Sequence, residues 1–176
     1  MKLFVVTAIV ATMAVARTEQ PQVGVNESGG IYTVSATFAV PQSPESTMAV
    51  LADYDNLARF MPGLRKSVVA ADYGTHVTVE QEADAKFLAF SKRIYLLLEI
   101  EETPHSLEFK DKSGRSFVRY EGSWRLSSHN GRTMINYALV AKPAFSVPEF
   151  ILSRLLRRDS SKMIEALQAE IAKRAK

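Results

Sequence analysis

Between Tyr32 and Val40 the chain alternates. Tyr32, Val34, Ala36, Phe38 and Val40 are apolar against Thr33, Ser35 and Thr37, the signature of a strand with one buried face. Pro41 stops it. Ser43-Pro44-Glu45 opens a helix, with Ser43 as N-cap and Pro44 at the first helical position, where a missing N–H costs nothing. Met48, Val50 and Leu51 give that helix an apolar side. Asp53 to Phe60 forms a second short helix, closed by Met61-Pro62-Gly63.

Alternation then resumes through strands at Leu64–Ala71, His76–Phe87, Ser91–Glu101, Leu107–Asp111, Phe117–Leu126 and Thr133–Lys142. Short turns separate them, so neighbours pair antiparallel. In the second of these, Val77, Val79, Ala83, Ala85 and Phe87 share one face, and Glu80, Glu82 and Asp84 the other. Ile94, Leu96, Leu98 and Ile100 point inward from the next. Pro148 opens a long final helix in which Leu156, Met163, Leu167 and Ile171 form one apolar stripe. Such a helix must lie against the concave face of a strongly curved sheet. The predicted class is α+β, with an antiparallel sheet of about seven strands around the C-terminal helix and two short helices after the first strand.

A chain of 176 residues, 47% hydrophobic and 23% charged, suits one domain with a sizeable core. The net charge of +3 is interspersed, with no basic stripe interleaved with aromatics, so nucleic acid is not an expected partner. The absence of cysteine removes disulfides, thiolate catalysis and zinc–thiolate sites together. His76, His105 and His129 lack metal-ligand spacing, and neither a metal nor a cofactor is expected.

Lys2, the apolar stretch Leu3 to Ala16 and the small-residue sequence Ala14-Val15-Ala16 read as a signal peptide cleaved after Ala16. The apolar run, roughly fourteen residues, falls short of the ~20 that span a bilayer core. Residues 1–16 are therefore expected to direct export to a periplasm or the exterior, an uncleaved N-terminal anchor being the alternative. Arg17 to Gly30, with Pro21, Gly24 and paired Gly29-Gly30, read as a flexible leader, and residues 31–176 as the folded domain.

The order of one strand, two short helices, a run of strands and a long helix resembles the START and birch-pollen-allergen-like proteins, the SRPBCC superfamily. The opening segment, VPQSPESTMAVLADYDNLARFMPG, is most similar to the polyketide cyclase/dehydrase and coenzyme-Q-binding lipid-transport branch. The resemblance implies a helix-grip fold whose sheet and helix enclose an apolar cavity. It also implies non-enzymatic binding or transport of a lipid, polyprenyl quinone or similar molecule. A polyketide cyclase or dehydrase is the alternative, and a protein-interaction module a third class.

Strand parity names candidate ligand contacts. Gln81 interrupts an apolar inward series, so its amide either meets a ligand carbonyl or hydroxyl or is satisfied by a neighbouring strand or water. Tyr120, Trp124 and Tyr137 also have inward parity, each an apolar body with a polar tip. Phe60, Met61 and Phe150 are expected to pack a ligand's apolar part. Inward positions otherwise lack the convergent acids and bases that catalysis needs, so no catalytic residue is assigned. The tip Phe87-Leu88-Ala89-Phe90 and the segment from Phe145 into Arg154, Arg157 and Arg158 combine apolar and basic residues, suited either to docking on anionic lipid or to forming a lid. Peripheral membrane contact follows from the first reading.

Overall fold

A computed structural model describes residues 21–87 and 89–175. The expected signal peptide lies outside them. Eight antiparallel strands, β1 (Gln22–Ser28), β2 (Ile31–Val40), β3 (Leu64–Asp72), β4 (His76–Phe87), β5 (Phe90–Thr103), β6 (Ser106–Asp111), β7 (Phe117–His129) and β8 (Arg132–Pro143), form one curved sheet. Helix α1 (Pro44–Leu51) and a 3-10 helix (Tyr54–Arg59) follow β2, and α2 (Glu149–Arg174) ends the chain.

Strands β3 to β8 are a meander, and β2 closes onto β8, giving the order β1-β2-β8-β7-β6-β5-β4-β3. The alternation read in β2 holds: Tyr32, Val34, Ala36, Phe38 and Val40 are all buried. Ser43 caps α1 as expected, its Oγ accepting from the Ser46 N–H at 3.2 Å. Register shifts in β3, between Leu64 and Lys66 and between Val69 and Ala71, and in β7, between Phe117 and Arg119, add local twist to the sheet.

One expectation is corrected. The segment from Gln22 to Gly30 is no leader: β1 pairs with β2 from Gln22–Thr37 to Ser28–Ile31, which raises the strand count to eight. Gly29 and Gly30 form the two-residue turn, with φ of 61° and 76°, the left-handed pair that a tight hairpin requires. Arg157 on α2 donates to the Val23 carbonyl at 3.4 Å, so β1 is held from its open side as well.

Helix α2 packs against β1, β2, β4 and α1 across the concave face. Its C-terminal half is sealed: Ile164 and Leu167 are fully buried and Ile171 is 1% exposed. Arg174 fastens that end, pairing with Asp53 at 2.7 Å and standing over the Phe60 ring at 5.9 Å. Its N-terminal half joins a separate apolar cluster, in which Leu152 and Leu155 meet Tyr32 with Phe90, Val147 and Leu156 around them.

Candidate functional site: an apolar cavity with polar tips

Between the N-terminal half of α2 and strands β4 to β8 lies a cavity of about 280 Å³. The helix contributes Leu152, Leu155, Leu156, Asp159, Ser160 and Met163, spaced by three and four so that all share one face. The 3-10 helix and the turn after it add Tyr54, Leu57, Met61 and Pro62.

Much of the wall is aromatic. Phe109 and Tyr120 have ring centroids 6.0 Å apart, Tyr120 and Phe117 4.9 Å, Phe117 and Phe145 6.3 Å, and Phe145 and Phe90 6.1 Å. All five rings line the cavity, so the chain of contacts follows its wall from β6 to the start of β5. Gly122 makes room for Phe109: a Cβ there would meet the Ala138 carbonyl at 2.2 Å and the Phe109 ring at 2.6 Å. Trp124 and Tyr137 form a second pair, at 4.4 Å. These offset and edge geometries are the favourable ones for aromatic quadrupoles.

Polar groups in the wall are few. Gln81 Nε2 donates to Ser67 Oγ at 3.2 Å, the neighbouring-strand satisfaction foreseen for that amide, while its oxygen has no partner among the described residues. The hydroxyls of Tyr120, Tyr137 and Ser160 and the indole N–H of Trp124 also have no hydrogen-bond partner there, yet none is sealed inside protein. Each therefore carries a free polar atom that protein does not seal, on a residue that lines the cavity. Burial pushes the Tyr120 hydroxyl up to about 12 and raises Tyr137 well above the usual phenol value, so both are neutral donors at physiological pH. Tyr54 differs: its hydroxyl donates to Glu102 at 2.6 Å and is spoken for.

Among the described residues two carboxylates reach the lining. Asp84 is saturated by Arg93 at 2.7 Å, Arg65 at 3.1 Å and Lys86 at 3.7 Å, with the Arg65 hydrogen bond the largest of the effects holding its carboxyl below the usual range. Asp159 accepts from Arg158 Nε through one oxygen at 2.7 Å. Burial nevertheless raises it above the ordinary carboxylate value.

Five of the seven expected ligand contacts, Met61, Gln81, Tyr120, Trp124 and Tyr137, line this one cavity. Phe60 does not; it packs behind the wall, beneath Arg174. Phe150 does not either. At 58% exposed, it points away from the face of α2 that the cavity sees. Phe90 and Phe145, expected at a docking surface or lid, stack on each other and line the cavity, so the two apolar segments adjoin at one end of it. Leu88 and the Phe87 side chain lie outside the described residues. Arg158 donates to the Lys86 carbonyl beside that tip, and Arg154 and Arg157 are exposed.

The expectation of almost wholly apolar inward positions missed Asp159 and Ser160. They stand three and four residues after Leu156, and a full helical wheel through the apolar stripe passes through both. Among the described residues no group of side chains is arranged to hold a metal, and no helix is long and apolar enough to cross a membrane.

The profile of a protein family described as polyketide cyclase/dehydrase and lipid transport matches residues 40–168. The chain belongs to that family. Its fold is that of the START-like SRPBCC superfamily. It superposes on the ZhuI aromatase/cyclase of Streptomyces sp. R1128 with TM-score 0.72 at 15% identity, over 83% of this chain and 96% of that one. A protein of Thermus thermophilus gives TM-score 0.70 at 20% identity, over 82% and 99%. A STAR-related lipid transfer protein of Xanthomonas axonopodis gives 0.67 at 13%, over 88% and 99%. At these identities the likeness is one of fold. Comparison with curated proteins gives no match.

Proposed function

We propose that this family member is a carrier of a hydrophobic small molecule bearing a small polar group. The observation that carries the reading is the cavity: aliphatic and aromatic walls, with unpartnered polar tips on Gln81, Tyr120, Trp124, Tyr137 and Ser160. Burying a ligand's apolar body gains about 25 cal/mol per Å² removed from water, and its polar group would satisfy tips that otherwise stay unpaired. Extraction of protein purified from its own host, followed by mass spectrometry, should return one apolar compound in near-stoichiometric amount. Protein that yields none, and that also fails to take up the neutral dye N-phenyl-1-naphthylamine, would contradict carriage.

Asp159 supports a second reading, a cyclase or dehydrase, because a cavity carboxyl with a raised pKa can act as a general acid. Turnover of a poly-β-ketone substrate that Asp159→Asn abolishes would favour it over carriage.

Delivery at a membrane belongs to the same proposal. Phe150, Arg154 and Arg157 share the outer face of α2, next to the end where Phe90 and Phe145 meet. Arg157 and Arg158 also bond the Val23 and Lys86 carbonyls, so charge reversal there would disturb packing. Phe150→Asp with Arg154→Glu is the cleaner variant. Its binding to phosphatidylglycerol vesicles should fall at least several-fold, and salt should weaken the wild type. Unchanged vesicle binding would remove this surface from the proposal. Export through cleavage after Ala16 is the remaining element, and mature protein should then begin at Arg17.

A further inference from the structure

The cavity's charge pattern narrows the ligand class. Among the described residues its lining contains two carboxylates, Asp84 and Asp159, and no lysine, arginine or histidine. Asp84 offers nothing to a ligand, since three cations occupy its two oxygens. Asp159 is different. Arg158 takes one oxygen, and the other has no partner among the described residues. Next to it on the same face of α2 is Ser160, 6% exposed, with an unpartnered hydroxyl. A carboxylate oxygen can only accept, whereas the Ser160 hydroxyl can accept or donate.

Resting on the carrier reading, we propose that Asp159, with Ser160, selects a ligand whose polar group is a neutral hydroxyl and rejects one ending in a carboxylate or phosphate. A ligand hydroxyl can donate to the free Asp159 oxygen while accepting from Ser160, satisfying both groups. An anionic head would meet that oxygen with like charge, and the adjoining guanidinium, Arg158, is already paired with Asp159. Desolvating such a head there is costly.

The test is competition by decanol and by decanoate, at neutral pH, for the cavity loaded with N-phenyl-1-naphthylamine. Decanoate is intrinsically better solvated, so the decisive readout is how the ratio of the two affinities changes on mutation. In Asp159→Asn the preference for decanol should shrink about ten-fold, the effect of removing one charge repulsion of that size. Asp159→Glu should keep the preference, and Arg158→Gln, which leaves Asp159 in place without its partner, should hold or widen it. An unchanged ratio in Asp159→Asn overturns the inference and leaves carriage standing. A ratio that narrows in Arg158→Gln also overturns it, since the arginine and not the carboxylate would then set the preference. Failure of the wild type to bind dye, alcohol or acid would overturn the carrier reading itself.

Discussion

The two halves of α2 follow the same helical period and face different things. From Ile164 to Ile171 the inner residues meet protein on all sides, and Ile164, Leu167 and Ile171 are essentially inaccessible. From Leu152 to Met163 the inner residues face the cavity, and Leu156 and Met163 remain half-buried. A side chain at a void has no partner atoms on that side and forfeits their dispersion contacts. The C-terminal half therefore holds the fold together, while the N-terminal half gives up packing for space. Polar residues follow the same division, because Asp159 and Ser160 are tolerated on the inner face only where open volume lets their free atoms stay unsealed.

Truncation at the sealed end should have the largest effect. Leu167→Ala should cost about 2–5 kcal/mol, the range for a buried leucine whose surroundings cannot collapse, read as a lower urea midpoint at unchanged slope. A loss under about 1 kcal/mol would mean that the sealed half is not sealed, against the expectation for such a site. At the cavity, Leu156→Ala should cost only about 1 kcal/mol, since part of its contact is already missing. Uptake of N-phenyl-1-naphthylamine should weaken in that variant and not in Leu167→Ala once folded. Equal stability losses in the two variants would erase the distinction between the halves.

The smallest effect is electrostatic. The folded-state value of Asp159 is raised, so the folded protein binds this proton more tightly than the unfolded chain. Stability from this group is then present below the ordinary carboxylate pKa and is lost as pH rises through the raised value. Asp53 runs the other way. Chiefly the Asn56 hydrogen bond, and also Arg174, lower it, so its contribution is present above the ordinary value and lost as pH falls. The difference between wild type and Asp159→Asn in thermal midpoint across mildly acidic pH isolates the first. The variant should gain relative stability toward neutral pH, and a gain toward acid would reverse the assignment.

Strand parity was legible because period-two alternation is local. It put Gln81, Tyr120, Trp124 and Tyr137 on one inner surface, and the structure brings all four to one cavity. Strand β1 was harder to see, with Val23 and Val25 as its only alternating apolar pair. Its clearest signal was the Gly29-Gly30 turn between two short extended runs. Phe60 and Phe150 were misplaced for a different reason. Apolar character says that a ring seeks cover, and at Phe150 it does not even secure that, while whether cover is protein or cavity depends on the opposite wall.

By itself the sequence determined the α+β class, the meander, the cap of α1 and the inward face of each principal strand. Each follows from torsional preference and from one-dimensional burial along a single element. Tertiary structure alone decided where sheet and helix fail to touch, and hence that Leu156 borders a cavity while Leu167 is packed. It also placed Asp159 in that wall with one oxygen bonded to Arg158. A void belongs to no residue. It is the space left between two surfaces whose shapes are set by sheet curvature, bulges and the seating of α2, and no pattern along one strand or helix encodes it.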